Sequence, residues 1–227
     1  MGTIIDQLPF ADPEFVENAE PRCPCLLLLD TSTSMRGRPI AELNDGLETF
    51  KSQLMSDDMA TQRVEVGVMT FGPVRVHTPF QTADAFTPPT LEANGDTPLG
   101  AAIEQSLDML EARKRAYKEA GVAYYRPWVF LITDGAPTDT WRNAASRVRD
   151  GDSSTRKSFS FFAVGVEGAD MQTLAQICSP NRPPLMLKGL SFRELFTWLS
   201  SSLGGVAKSQ PGQLVALAPP TGWSSVG

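Results

Sequence analysis

Four consecutive leucines, Leu26 to Leu29, run without interruption into an aspartate, and the same abrupt change from apolar to acidic recurs later in the chain. The run Cys25–Leu29 has the continuous pattern of a strand covered on both faces, not the alternation of a half-solvated one. After Gly37, apolar residues return at Ile40, Leu43, Leu47, Phe50 and Leu54, three and four apart, which predicts an amphipathic helix. VEVGVMTFG, Val64 to Gly72, alternates as a strand, and the nearby VRVHTPF pairs with it as an edge. A loop rich in Thr, Pro and Gly spans Thr82 to Asp96. Pro98 suits the first turn of the next helix, whose apolar face is Leu99, Ile103, Leu107 and Leu110. RPWVFLITDG, Arg126 to Gly135, is a second buried strand that ends in an aspartate. A short helix near Asp139 to Arg149 follows, then the strand SFSFFAVGV (Ser158 to Val166), a helix from about Asp170 to Cys178, a short PLMLKG strand, and a closing helix lined by Phe192, Leu195, Phe196, Leu199 and Leu203.

Strands that alternate with helices predict an α/β fold with a mostly parallel sheet and helices on both faces. Residues 1–21, punctuated by proline and acid, read as an N-terminal arm. Beyond Gly204 the chain loses its periodicity and gains Pro, Gly and Ser, so residues 205–227 read as a flexible tail, in which Trp223 and the LVAL run are the features able to dock. There is no internal repeat.

Composition narrows the setting. A chain of 227 residues, 41% hydrophobic and 20% charged, can build one substantial core beside such a tail. Its net charge of −6 argues against a nucleic-acid partner. No stretch approaches the roughly 20 apolar residues that span a bilayer, and the start MGTIIDQLPFADPEF fits neither a secretory signal nor a myristoylation site, so no membrane partner is expected. Three cysteines are an odd number, and Cys23 and Cys25 fall on one face of one strand. They read as buried, inert thiols rather than as a disulfide framework or, with Cys178, a zinc site. The expected location is the cytoplasm.

The chemistry lies at the strand ends. Ligands of open parallel sheets bind outside the carboxyl ends of the strands, where the crossovers diverge. Asp30 and Asp134 stand at two such ends, Ser32 and Ser34 follow Asp30 at alternate positions, and ANGDTPLG (Ala93 to Gly100) leads into a helix between those strands in sequence. With the strands as neighbours, Asp30, Ser32, Ser34, Thr97 and Asp134 converge as five oxygen donors. Such a hard set suits Mg²⁺ or Mn²⁺ in octahedral geometry, and Ca²⁺ less well. Two carboxylates roughly neutralise a divalent ion while the hydroxyls leave it electrophilic, ready for a further carboxylate from outside.

DTSTS followed by Met35, the GDTPLGAAI loop and the ITDGAPTD strand end resemble the metal-ion-dependent adhesion site of von Willebrand factor type A domains, over about residues 22–204. The resemblance implies a Rossmann-like, three-layer open sheet, mostly parallel with one antiparallel edge strand. It also implies a Mg²⁺ or Mn²⁺ site with Asp30, Ser32 and Ser34 as first-motif ligands, Thr97 as the second and Asp134 as the third. The last ligand is then an Asp or Glu of a partner protein. DTSTSMRGRPIAELNDGL is similar to cytoplasmic bacterial TerY-type proteins associated with tellurium resistance and stress response, whose neighbours include a protein kinase and a PP2C-type phosphatase. Thr33 departs from the glycine common between the two serines, and is tolerated only if its backbone needs no positive φ.

Other roles for these residues are weighed against that pattern. Asp30 also suits a turn cap, and Thr97 a helix N-cap that its one hydroxyl cannot fill while binding a metal. Asp96 and Asp139 read as supporting or capping groups, Met35 as core and His77 as a solvated edge residue. A Mg²⁺-dependent phosphohydrolase starting from Asp30 lacks its second aspartate, because position 32 is serine. There is no G-x-S-x-G elbow and no phosphate-binding GxxxxGK[ST] loop. The expectation is therefore an adaptor without catalytic residues, the alternatives being that phosphohydrolase or a scaffold whose metal site is degenerate.

Overall fold

The computed structural model describes Phe15 and residues 18–226. Its strands are β1 (Cys23–Asp30), β2 (Val64–Phe71), β3 (Arg75–Thr82), β4 (Trp128–Thr133), β5 (Ser160–Gly165), β6 (Leu185–Leu187) and β7 (Ser224–Val226). Its helices are α1 (Arg38–Met55), α2 (Asp58–Arg63), α3 (Leu99–Glu119), α4 (Arg142–Gly151), α5 (Met171–Ile177) and α6 (Phe192–Ala207), and a 3₁₀ turn spans Thr33–Met35. The strands form one sheet in the order β3-β2-β1-β4-β5-β6-β7. From β2 through β6 all pairings are parallel, and β3 runs antiparallel to β2 at one edge. The Rossmann-like α/β class expected from the sequence is the fold observed.

Side-chain alternation along the buried strands divides the apolar residues between two layers. Cys23, Cys25, Leu27 and Leu29 of β1 face a core shared with α1 and α6, whereas Leu26 and Leu28 face one shared with α3, α4 and α5. Layer spacing is set by small residues. A Cβ added to Gly46 of α1 would lie 2.6 Å from the Phe196 ring of α6, so glycine lets these two helices approach closely. The three cysteines are free and buried, with Cys23 and Cys25 on one face. Burial pushes the Cys23 thiol up to about 12, with the Glu65 charge adding to the effect, which leaves it unreactive.

Chain reversal sits between β1 and β4. From β1 the chain crosses through α1 and α2 to β2 on one side, and β4 then takes the other side of β1, with Leu29 level with Ile132. The loops after these two neighbours diverge above the carboxyl ends of both, where Asp30 ends β1 and Asp134 opens the loop after β4. Among the described residues no helix is long and apolar enough to cross a membrane.

Two features depart from the sequence expectation. Helix α2, only six residues long, has too little apolar periodicity to read; the Asp57 carboxylate starts it by accepting the N–H groups of Met59 and Ala60. The segment read as a flexible tail begins as the last turn of α6 and ends as a second antiparallel edge strand, β7, paired with β6. Trp223 anchors that return. It is 1% exposed, its ring centroid is 5.4 Å from that of Trp198, and its carbonyl accepts the Lys188 N–H. Trp198 adds to this by donating its indole N–H to the Ala218 carbonyl at 2.8 Å, and the flanking strand is too short to show a period in the sequence.

The described part of the N-terminal arm is also held down, by Glu20 paired with Arg63 and Asn18 donating to the Gln62 carbonyl, and the domain residues that follow it are buried beneath. Arg22 is fully buried, with Nε 2.9 Å from Glu65 Oε1, and Arg113 Nε donates to Glu65 Oε2 at 2.8 Å. Tyr117 donates its hydroxyl to the same Glu65 oxygen, and Phe15 stands edge-on to the Tyr117 ring.

Replacing Trp223 with alanine is expected to destabilise the protein by about 3 kcal/mol in urea unfolding, as for other large-to-small changes at buried aromatic sites. Trp223→Phe should cost clearly less, because the indole N–H finds no acceptor among the described residues.

Candidate metal centre

The apolar strand β1 ends at Asp30 because the chain there leaves the sheet and its side chain enters the cleft between the diverging loops. Asp30 is fully buried. One carboxylate oxygen accepts the Ser32 N–H at 2.8 Å, which turns the chain into the 3₁₀ turn, and the other accepts the Thr133 hydroxyl at 2.5 Å. Thr133 ends β4 beside it. The Ser32 and Ser34 hydroxyls lie 2.9 Å apart, and Ser34 donates to Asp134 Oδ1 at 2.7 Å. Four of the five predicted donors thus form one hydrogen-bonded chain across two strand ends.

Thr97, the fifth, is buried on the same side: a Cβ added to Gly135 would lie 3.1 Å from its hydroxyl oxygen. The competing role for this hydroxyl, capping α3, is filled by another residue. The cap position is Pro98 and makes no side-chain bond, while the two oxygens of Asp139 accept the N–H groups of Gly100 and Ala101 at 2.8 Å each. Asp139 is therefore a capping group, and the Thr97 hydroxyl is left to the cleft. Met35 is buried in the core, as expected. Asp96 is exposed. His77 differs from expectation: it is half-buried in β3, and burial, followed by the Arg75 charge, lowers its pKa.

The three loops are stitched into one unit. Thr33 donates both its N–H and its hydroxyl to the Gly95 carbonyl at 2.9 Å, Asn94 N–H donates to the Thr31 carbonyl, and Arg36 Nε to the Ala93 carbonyl. Thr138 N–H donates to the Thr97 carbonyl, which ties the second loop to the third. Thr33 has no positive φ. Its hydroxyl supplies a cross-loop bond that glycine would lack, a role with no signal in the sequence. Gly72, in contrast, must be glycine. Its φ is +110°, and a Cβ there would lie 2.8 Å from the Ser32 nitrogen.

The electrostatics are unbalanced. Among the described residues neither Asp30 nor Asp134 has an ion-pair partner, and no cluster of three or more His, Cys, Asp or Glu forms, so the site is two carboxylates with hydroxyls. Burial raises the Asp30 pKa above its ordinary 3.8, its hydrogen bonds to Thr133 and Ser32 oppose that, and the Asp134 charge adds to it. Burial raises Asp134 likewise, against the Ser34 hydrogen bond.

With this geometry in hand, comparison with known proteins is informative. The family model for the von Willebrand factor type A domain matches residues 26–196. The chain belongs to that family. No curated protein matches. Among solved structures, proximal thread matrix protein 1 from the mussel byssus superposes with a TM-score of 0.56 at 18% identity, over 82% of this chain and 49% of that one. A structure of the same mussel protein with a zinc-occupied MIDAS motif gives 0.54 at 16%, over 82% and 48%. The open form of the pilus adhesin SpaC from Lactobacillus rhamnosus GG gives 0.66 at 15%, over 83% and 31%. The chain thus spans about half of the mussel protein and under a third of the adhesin, and at these identities the likeness is one of fold.

The raised carboxyl pKa values give a pH signature with a definite sign. A carboxyl whose folded pKa lies above its unfolded value holds more protons when folded, so ionisation costs stability as pH rises through the folded value. In EDTA, the melting temperature should therefore rise as pH is lowered from neutral through the raised pKa values of Asp30 and Asp134. Asp30→Asn should flatten that rise and match or exceed the wild-type melting temperature at neutral pH, as read by calorimetry.

Proposed function

We propose that this domain is a metal-dependent protein-interaction module whose ion is held by Asp30, Ser32, Ser34, Thr97 and Asp134. The observation that carries the reading is the fully buried Asp30 carboxylate, which has no basic side chain paired to it among the described residues and is linked through Ser32 and Ser34 to a second carboxylate across the cleft. Burying such a charge unpaired is costly, and a divalent ion is the partner that an all-oxygen donor set selects. Mg²⁺ or Mn²⁺ fits this set best. Once bound, the cation supplies an electrophilic centre that accepts one more carboxylate, from an Asp or Glu of the partner. Thr133 and the Ser32 N–H hold Asp30 in place, the stitched loops fix the serines, and Asp139 leaves Thr97 free.

The surroundings suit a protein partner. Ser34 is exposed at the top of the site, and the loops that hold it also border a cleft of about 210 Å³ lined by Thr31, Gly72, Arg75, His77, Glu92 and Asn94, able to receive a further side chain of the partner. The free, buried thiols support a reducing, cytoplasmic setting. The likeness of the first motif and its following helix to TerY-type proteins supports an adaptor role in a tellurium or stress-response assembly that includes a kinase or phosphatase. The site offers no second acid for phosphoester chemistry at position 32, and no chemistry of its own is proposed.

Titration with Mg²⁺ or Mn²⁺ should raise the melting temperature, and at one hundred times the dissociation constant the gain should be about 2.7 kcal/mol. EDTA should reverse it, and Asp30→Asn or Asp134→Asn should remove it without unfolding the protein. No metal-induced stabilisation would leave a scaffold with a degenerate site. Turnover of a generic phosphate ester with Mg²⁺ would instead make the protein an enzyme. Affinity capture in Mg²⁺ and in EDTA then reads out the partner, and the same catch in both would move recognition away from the metal.

A further inference from the structure

At the opposite pole, where β4 and β5 begin, the chain encloses a cavity of about 490 Å³. The six residues of β4 separate it from the metal-bearing end by roughly 20 Å, so the inference does not rest on the metal reading. Small-molecule sites occupy about 300–1,000 Å³. One wall is aromatic: Trp128 and Phe162 lie with ring centroids 4.9 Å apart, beside Tyr124. The segment Gly212–Leu217 forms the other wall, with Leu214 94% exposed at its rim. A mixed lining of flat apolar rings and an apolar strap is suited to a flat ligand body.

The charges on this cavity are of one sign. Arg126, Lys157 and Arg182 line it, and none of its lining residues is acidic. Behind them a single buried carboxylate, Asp152, serves both arginines: Arg126 Nη2 donates to Oδ1 at 2.8 Å and Arg182 Nη1 to Oδ2 at 2.5 Å. Arg126 is fixed further by donating Nε to the Phe159 carbonyl at 2.7 Å, and the Arg182 guanidinium lies 4.8 Å over the Phe162 ring. Both guanidiniums are held by their partners and by packing, and are already oriented. Lys157 has no acidic partner among the described residues, and it is the one non-glycine residue there with a positive φ, +49°. That backbone conformation is unfavourable for lysine, and it sets the third cation at the mouth. Three cations facing one buried carboxylate leave positive charge uncompensated next to aromatic walls.

We propose that this cavity binds a small aromatic anion, its ring against Trp128 and Phe162 and its phosphate or carboxylate between Arg126, Arg182 and Lys157. Arginine forks match planar and tetrahedral oxyanions by paired hydrogen bonds, and the enclosed rings strengthen them by excluding water. The ring and the anion are both required, because an exposed charge contact alone is weak.

The test is a two-dimensional NMR titration of the full chain with phenyl phosphate, alongside inorganic phosphate and benzyl alcohol as its two halves. Phenyl phosphate or benzoate should shift amides in residues 124–128, 157–162 and 212–217 at millimolar concentration or below, leaving residues 30–36 unmoved, and each half alone should bind far more weakly. Arg182→Gln should weaken phenyl phosphate about tenfold, the scale of a lost charged hydrogen bond. Lys157→Gly should weaken it about threefold, the scale of one exposed charge. The glycine variant relieves the positive φ and so keeps the fold even if Arg182→Gln disturbs Asp152. Absence of shifts at these residues, or equal affinity in wild type and Lys157→Gly together with equal affinity in a folded Arg182→Gln, would overturn the proposal.

Discussion

A carboxylate buried at the end of an interior strand, hydrogen-bonded but without a lysine, arginine or histidine paired to it among the described residues, is the constraint around which this domain is arranged. Water cannot reach Asp30 to solvate it, so its charge is stabilised by two donors: the N–H of Ser32 and the hydroxyl of Thr133. Each donor requires a particular piece of architecture. The first needs the chain to turn sharply into a 3₁₀ segment immediately after β1. The second needs β4 beside β1, in the register that sets Leu29 level with Ile132 and so brings Thr133 next to Asp30. Strand order, register and loop conformation therefore converge on one side chain, and the fold can be read as the support for a deliberately unbalanced charge.

That support extends outward mainly through bonds to backbone groups and not through ion pairs to the two carboxylates. The loop from Ala93 to Gly95 is bonded to the turn after β1, the loop after β4 is bonded to the start of α3, and Asp139 occupies the positive end of that helix. Bonds of this kind hold position without pairing a basic side chain to Asp30 or Asp134. The far pole is built on the opposite plan, with cations outnumbering the one carboxylate that serves them. The carboxylate cluster and the far cavity thus hold ionisable groups of opposite predominant sign.

The fold was largely legible because its strands are buried on both faces and its helices have clean apolar spacing. That Asp30, Ser32, Ser34, Thr97 and Asp134 gather at one end of the sheet was legible because strand ends are marked by a change from Leu or Ile to Asp, and because ligand-facing loops of a parallel sheet lie at those ends. What escaped the sequence was cooperative or local. Thr33 looks like a departure from pattern until Gly95 is placed against it. The Thr133 hydroxyl reads as one more strand residue until β4 is set beside β1. Helix α2 rests on a single capping carboxylate. Trp223 sits in a segment whose composition signals disorder, and its burial follows from Trp198 being there to meet it, a pairing no local pattern records.

The returning tail has a consequence for how this domain can meet other chains. A sheet normally offers its outer strands as templates, since their unpaired backbone groups invite another strand to add. Here β7 takes up that position against β6 with a strand of only three residues, and at the other border β3 carries Pro79, the charged Arg75 and a register irregularity against β2. Both borders are poor templates. Backbone augmentation, which reads little beyond extended shape, is thereby discouraged, and recognition is left to the side chains at the ends of the strands, where chemistry can tell one partner from another.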